Sequence, residues 1–235
     1  MQTPASASVP ELASLSRVQR WRRAGAALRK VMADPDDTDQ VLEFLGVMNS
    51  GSSATSRVAR FFADPTGQKL FDEHRTIDSH SVDLDALAAL PAGTLGHAYA
   101  TFLRSRGLTP EIFDAPPAGI TDPRLSYVVQ RLRQTHDLWH VVTGCQTDPA
   151  GELALQAFAF AQLRGPGNGL LAAAGTLRHL RHNPGLVRDV IALYRAGTRA
   201  RPLPQFAWED HWATPLAEVR AMLGLPVEPT ARDVA

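Results

Sequence analysis

The sequence predicts an all-α fold, built as a single compact multi-helix domain. Two observations carry that expectation. Ala and Leu dominate the periodic segments, while short alternating runs rich in Val, Ile and Thr, which mark half-buried strands, are absent. Asp or Asn followed by Pro recurs at Asp34-Pro35, Asp64-Pro65, Asp122-Pro123, Asp148-Pro149 and Asn183-Pro184. The short polar side chain accepts from a free N–H of the first helical turn. Pro has no N–H to lose there and already holds a helical φ, so the pair is a helix-start signature.

Taken in order, the spacing predicts helices over 11–33, 36–50, 53–63, 66–73, 94–106, 123–143, 149–164, 168–181, 184–198 and 214–224. The first places Leu12, Leu15, Val18 and Leu28 among Arg17, Arg20, Arg22, Arg23, Arg29 and Lys30, a basic amphipathic face suited to a membrane surface. Pro35, Gly51 and Pro65 separate the next three, and Pro91 and Pro110 bracket the fifth. Residues 114–121, with Pro116-Pro117, read as a loop, and 201–210, with Pro202 and Pro204, as an extended connection. Residues 1–10 and 227–235 read as tails around a domain at 11–226.

Composition narrows the function. With 235 residues, 44% of them hydrophobic, one sizeable core is expected. Lys+Arg and Asp+Glu balance at 24 each, so no global attraction to nucleic acid is expected. The lone cysteine, Cys145, excludes an internal disulfide, fits a reducing compartment and reads as a small buried hydrophobe. No run approaches the roughly 18 apolar residues of a membrane span. The N-terminus lacks the features of a secretory signal or transit peptide. The expected setting is bacterial and cytoplasmic, peripheral on the inner face of the membrane.

The chemistry concentrates at His136-Asp137-Leu138-Trp139-His140, followed by Glu152. In 123–143 the apolar stripe runs Leu125, Val128, Leu132 and on into His136 and His140, so the histidines continue a core-facing surface. At about 100° per residue, His136 and His140 lie about 40° apart, with Asp137 about 60° from His140. Glu152 falls in the first turn of the next helix and approaches across the helix pair. Two imidazoles and two carboxylates buried without a cation would be costly. His136, Asp137, His140 and Glu152 are therefore the expected metal ligands and catalytic residues, between two adjacent helices. Imidazole and carboxylate donors suit Zn²⁺, and also Mn²⁺, Fe²⁺ or Co²⁺. The motif parallels the zinc-protease H-E-x-x-H with Asp for Glu, so Asp137 either ligates directly or holds a ligand from behind.

At H-D-x-x-H-x₁₁-E the sequence resembles the ubiquinone (coenzyme Q) biosynthesis family of the Coq-four type. Leu90-Pro91-Ala92-Gly93-Thr94-Leu95-Gly96 with Tyr99 is similar to the family's LPxGTLGxxY segment. Asp122-Pro123-Arg124, Ser126-Tyr127-Val128, Arg131 and Arg133 resemble its approach to the metal helix, and Gly151-Glu152 its GE. Near the end Trp208-Glu209, Trp212, Pro215-Leu216 and Arg220-Ala221-Met222-Leu223-Gly224 resemble its closing signature. Gln134 and Gln156 depart from the family pattern.

The resemblance implies an all-helical fold and a divalent metal, generally zinc. It implies oxidative removal of the C1 carboxyl group of a polyprenylated 4-hydroxybenzoate-derived precursor, with a hydroxyl in its place. It also implies a contrasting role, a lipid-binding scaffold among other ubiquinone biosynthesis proteins in a membrane-associated complex. A homodimer is a further expected assembly. Arg131 and Arg133 are candidates to pair with the substrate carboxylate. Tyr99, Tyr127 and Gln156 are candidates to contact the head group. The Ala- and Leu-rich stretches 153–163 and 168–177 are candidates to line an apolar tunnel for the tail.

Overall fold

The computed structural model describes residues 17–33, 38–117 and 119–226. Among them the chain forms eleven α-helices and no strand. They are α1 (Arg17–Ala33), α2 (Thr38–Met48), α3 (Ser52–Ala63), α4 (Pro65–Asp72), α5 (Leu84–Ala88), α6 (Leu95–Ser105), α7 (Pro123–Thr143), α8 (Pro149–Leu163), α9 (Pro166–His179), α10 (Leu186–Arg199) and α11 (Leu216–Leu223), with 3₁₀ turns at Pro110–Phe113 and Trp208–Asp210. The 1–10 and 227–235 tails, Leu12, Leu15 and Asp34-Pro35 lie outside the described residues.

Three of the expected Asp-Pro starts work as the sequence suggests. Asp64, Asp122 and Asp148 each accept from a first-turn N–H, with Pro at the first helical position. Asn183-Pro184 does not: α10 starts two residues later, behind Gly185, with no side-chain cap. The single-turn α5 was not expected, because five residues are too few to show a period. Asp83 caps it from both Asp85 N and Ala86 N. The 201–210 connection is not extended throughout, since it ends in the turn Trp208–Asp210.

The main core joins α6, α7, α8, α10 and α11 through Tyr99, Leu138, Phe158, Leu193 and Leu223, with Trp208 beside them, all fully buried. α8 and α10 approach closely because α10 presents Gly197, where a Cβ would meet Phe158 O at 2.9 Å. Several of the side chains expected to line a tail tunnel are buried in the core, among them Leu155, Ala157, Phe158 and Leu171. A second core packs Ala24, Ala27 and Val31 of α1 on Phe44 and Val47 of α2. α1 thus turns Ala24, Ala27 and Val31 inward, and Arg23 is tied to Glu43 at 3.0 Å. Of the four apolar residues expected on its basic amphipathic face, Leu12 and Leu15 lie outside the described residues, Val18 is 68% exposed and Leu28 packs against this second core.

The C-terminal segment braces α7. Arg220 donates to the carbonyls of Val142 (2.9 Å) and Val141 (3.1 Å), two of the acceptors that the end of α7 leaves free. Arg131, on the middle of α7, forms a two-pronged pair with Glu209, Nη2 lying 2.9 Å from Oε2, and also donates to Phe206 O at 2.8 Å. The Arg131 side chain is 0% exposed and that of Glu209 13%. Glu209→Ala would strand a buried guanidinium, so urea unfolding should report a loss of about 3 kcal/mol. Arg131→Met with Glu209→Leu should restore most of it. A Glu209→Ala protein as stable as the parent would contradict the pair's structural role.

Candidate metal centre

The site is built by the α7–α8 turn. α7 closes at Gly144, whose φ of 76° lies in the left-handed region that glycine adopts without steric cost. That reversal returns the chain so that the Cys145 carbonyl faces back to His140. α8 opens on Asp148, which accepts from Gly151 N at 2.8 Å. A Cβ on Gly151 would sit 2.1 Å from Gln146 O, so only glycine lets the first turn of α8 pack this tightly on the loop. Glu152 follows at once and is delivered to the histidines. α7 and α8 meet over a short length, near this turn.

The nitrogen and oxygen ligand atoms of His136, His140 and Glu152 lie within 4.8 Å of one another. His140 Nε2 is 3.2 Å from Glu152 Oε1, and His136 Nε2 is 4.0 Å from Glu152 Oε2. The imidazole planes cross at 85° with centroids 4.9 Å apart. His140 is closed in, its side chain 1% exposed, whereas His136 (42%) and Glu152 (38%) open to one side. Phe102 of α6 stacks on His140 at 5.5 Å, and Arg106 lies 3.9 Å above the Phe102 ring.

Protonation is constrained by geometry. His140 Nδ1 lies 3.0 Å from Cys145 O, and a carbonyl only accepts, so Nδ1 carries the proton. Nε2 is then turned to Glu152. Either Nε2 is also protonated and donates to the carboxylate, or a cation sits between two lone-pair donors. The donor set fits a cation. Zinc bonds of about 2.0–2.2 Å put neighbouring tetrahedral ligand atoms about 3.3 Å apart, close to the His140–Glu152 spacing. An imidazole oriented by a backbone carbonyl through its other nitrogen is a frequent arrangement at metals.

The charges agree. Burial pushes the Glu152 carboxyl up, but the hydrogen bond from His140 and the nearby imidazoles outweigh it and hold it below its ordinary value. Loss of surrounding water lowers His136, and His140 lowers it further, against the pull of Glu152 and Asp137. Burial raises Asp137, while His136, His140 and Arg106 partly offset this.

The family model described as Coenzyme Q (ubiquinone) biosynthesis protein Coq4 matches residues 10–229. The chain belongs to that family. It is 34% identical over 211 residues to a Coprinopsis cinerea protein named ubiquinone biosynthesis protein COQ4, mitochondrial, covering 89% of this chain and 72% of the relative. A Pyricularia oryzae protein of the same name is 32% identical over 225 residues, covering 93% and 72%. The crystal structure of a Nostoc punctiforme protein, titled for ubiquinone biosynthesis, superposes with a TM-score of 0.69 at 29% identity, over 86% of this chain and 97% of that one. The expected bacterial, cytoplasmic setting is corrected by these names, since the fungal relatives are mitochondrial proteins. Among the described residues no helix is long and apolar enough to cross a membrane.

Within this Coq4-family fold, the expected site residues separate. His136, His140 and Glu152 converge, and Asp137 is buried outside that trio. Arg131 is corrected as a partner for a substrate carboxylate, because Glu209 already holds it inside the protein. Arg133 is exposed and rests 3.4 Å from Gln130 Oε1. Tyr127 donates to Arg75 O at 2.9 Å, and burial pushes its hydroxyl up to about 12. The Gln156 carbonyl is held by Asn168 at 2.7 Å. Tyr99 is fully buried, stacked on Trp212 at 5.6 Å, with no partner for its hydroxyl. Burial first, and the charge of Asp137 second, keep that phenol protonated. Sequence reasoning missed Phe102 and Arg106, which lie 34 and 30 residues before His136 and belong to no recognisable pattern around the motif.

Two outcomes follow. Zn²⁺ titrated calorimetrically should bind the parent, and binding should be lost in His140→Ala and Glu152→Gln. Asp137→Asn should weaken it by about 10- to 100-fold, as for residues behind a ligand set. Equal binding by the His140→Ala protein would contradict the site. Burial also pushes the Cys145 thiol from 9.0 to about 11. The folded chain therefore holds this proton more tightly than the unfolded chain, and stability falls as pH rises from about 9 to about 11. Iodoacetamide at pH 8 should label Cys145 only after denaturation, as mass spectrometry would show.

Proposed function

We propose that this Coq4-family chain is a metal-dependent enzyme that removes the C1 carboxyl group of a polyprenylated 4-hydroxybenzoate-derived acid as carbon dioxide and leaves a hydroxyl, water supplying the hydroxyl oxygen and dioxygen taking the two electrons to leave as hydrogen peroxide. The observation that carries the reading is the trio His136, His140 and Glu152, with His140 locked by Cys145 O and the opposite side open. A closed, fully protein-ligated site would serve structure alone, whereas half-exposed His136 and Glu152 leave room for a substrate atom. A bound divalent ion, Zn²⁺ or one of Mn²⁺, Fe²⁺ and Co²⁺, would supply a Lewis acid for the substrate carboxylate.

The chain's own residues supply orientation. His140 and Phe102 form the back wall. Arg106 lies over the Phe102 ring, its Nε donates to Thr147 of the α7–α8 turn at 3.1 Å and its charge reaches Asp137. It takes the role of carboxylate partner that Arg131 cannot fill. Asp137 is buried close enough for its charge to act on His136 and to raise the Tyr99 phenol, which stays protonated.

The isolated metal-loaded protein, given the prenylated acid and dioxygen, should release carbon dioxide and form the hydroxylated product. His140→Ala should abolish turnover while its circular dichroism stays unchanged. Arg106→Leu should raise KM about tenfold or more, as loss of a charged hydrogen bond does. A metal-loaded parent with no turnover, but with metal-dependent binding of partner proteins, would instead favour the scaffold role.

A further inference from the structure

The α9–α10 hairpin carries an exposed apolar face with no covering element among the described residues. Leu177 (72% exposed), Leu180 (40%), Val187 (36%), Ile191 (43%) and Tyr194 (41%) all lie in this one hairpin. Only Val18, Ile112 and Met222 are comparably exposed large apolar residues elsewhere among the described residues. On α10, Val187, Ile191 and Tyr194 fall within an arc of about 60°, away from the buried Leu186, Leu193 and Gly197. Single exposed apolar side chains are ordinary, but five gathered on one hairpin mark a contact surface.

Charge decides what the surface meets. The whole chain has no net charge, yet residues 178–201 contain six arginines and one acid. Arg178, Arg181, Arg188, Arg195, Arg199 and Arg201 are all exposed. Asp189, the one acid, lies 3.5 Å from Arg188. On α10, Arg188, Arg195 and Arg199 form a strip about 70–110° from the centre of the apolar arc, on one flank. A second copy of the chain would set these arginines against themselves. An apolar face edged by arginines fits an anionic lipid surface, with rings and aliphatic groups below the head groups and guanidiniums among the phosphates.

We infer that the α9–α10 hairpin is the face by which this protein docks on anionic bilayers. It sits apart from the metal trio: His136, His140 and Glu152 belong to α7 and α8, and no hairpin residue belongs to the trio. Docking and turnover are thus separable, and metal binding serves as the control.

Flotation of the full chain tests this, using phosphatidylcholine vesicles with and without phosphatidylglycerol. The parent should float with the anionic vesicles only, and less as salt rises. Leu177→Ser/Ile191→Ser and Arg181→Glu/Arg188→Glu/Arg195→Glu should each reduce binding about tenfold or more. Both sets should keep the parent's melting curve and Zn²⁺ binding. Arg22→Glu/Arg29→Glu on α1 should leave flotation unchanged. Because Cys145 is 2% exposed, Ile191→Cys can be labelled selectively with an environment-sensitive fluorophore, and its emission should shift to the blue on anionic vesicles. Absence of parent binding would overturn the inference. So would binding that survives both hairpin variants, a loss confined to the α1 variant, or a label that shifts on self-association without lipid.

Discussion

The hydrogen bond from His140 Nδ1 to the Cys145 carbonyl is the constraint on which the site depends. It fixes the tautomer and the ring plane together, and so decides that Nε2 faces Glu152 at 3.2 Å. The bond exists because Gly144 takes a left-handed turn and sends the chain back under the end of α7. The same turn sets the start of α8, and Gly151 lets that start sit against the loop. A five-residue segment therefore joins ligand, ligand orientation and second helix in one local structure. Cys145 contributes its backbone oxygen, and its thiol is a buried apolar group whose proton is held firmly.

Such a turn orients ligands only if α7 itself cannot shift. The helix is held along its length: Asp122 at its start, the Arg131–Glu209 pair at its middle and Arg220 on its last carbonyls. Two of those three partners come from the C-terminal segment. That segment is tied in turn to the start of α6, where Leu95 N and Gly96 N donate to Thr214 O and Trp212 O at 2.9 and 2.8 Å. The three separated stretches that resemble the family are thus neighbours in space. One carries ligands, one clamps the helix, and one anchors the clamp while supplying Tyr99 against Trp212.

How much was legible in the sequence follows from the range of each interaction. Helix existence and several boundaries were readable because caps are local. Asp122-Pro123 and Asp148-Pro149 start α7 and α8 where the residues suggest. The convergence of His136, His140 and Glu152 was readable because four-residue spacing on one helix fixes a face, and a short turn limits where Glu152 can go. Asp137 shares the face in angle but not in reach, since its short side chain leaves it outside the trio. Arg131 was unreadable because its partner lies 78 residues away, and spacing cannot show which arginine is already paired. α1 is ambiguous for a related reason. Its alternation of apolar and basic residues describes equally a membrane face and a helix packed on α2, and the burial of Ala24, Ala27 and Val31 shows which of its residues pack on α2.

The central claim is that His136, His140 and Glu152 hold a metal ion, and X-ray absorption spectroscopy of the zinc-loaded protein tests it most directly. The spectrum should require two imidazoles and carboxylate oxygen at about 2.0–2.2 Å, and His140→Ala should remove one imidazole contribution. A sulfur scatterer at about 2.3 Å, or a shell of water oxygens without imidazole, would contradict the account.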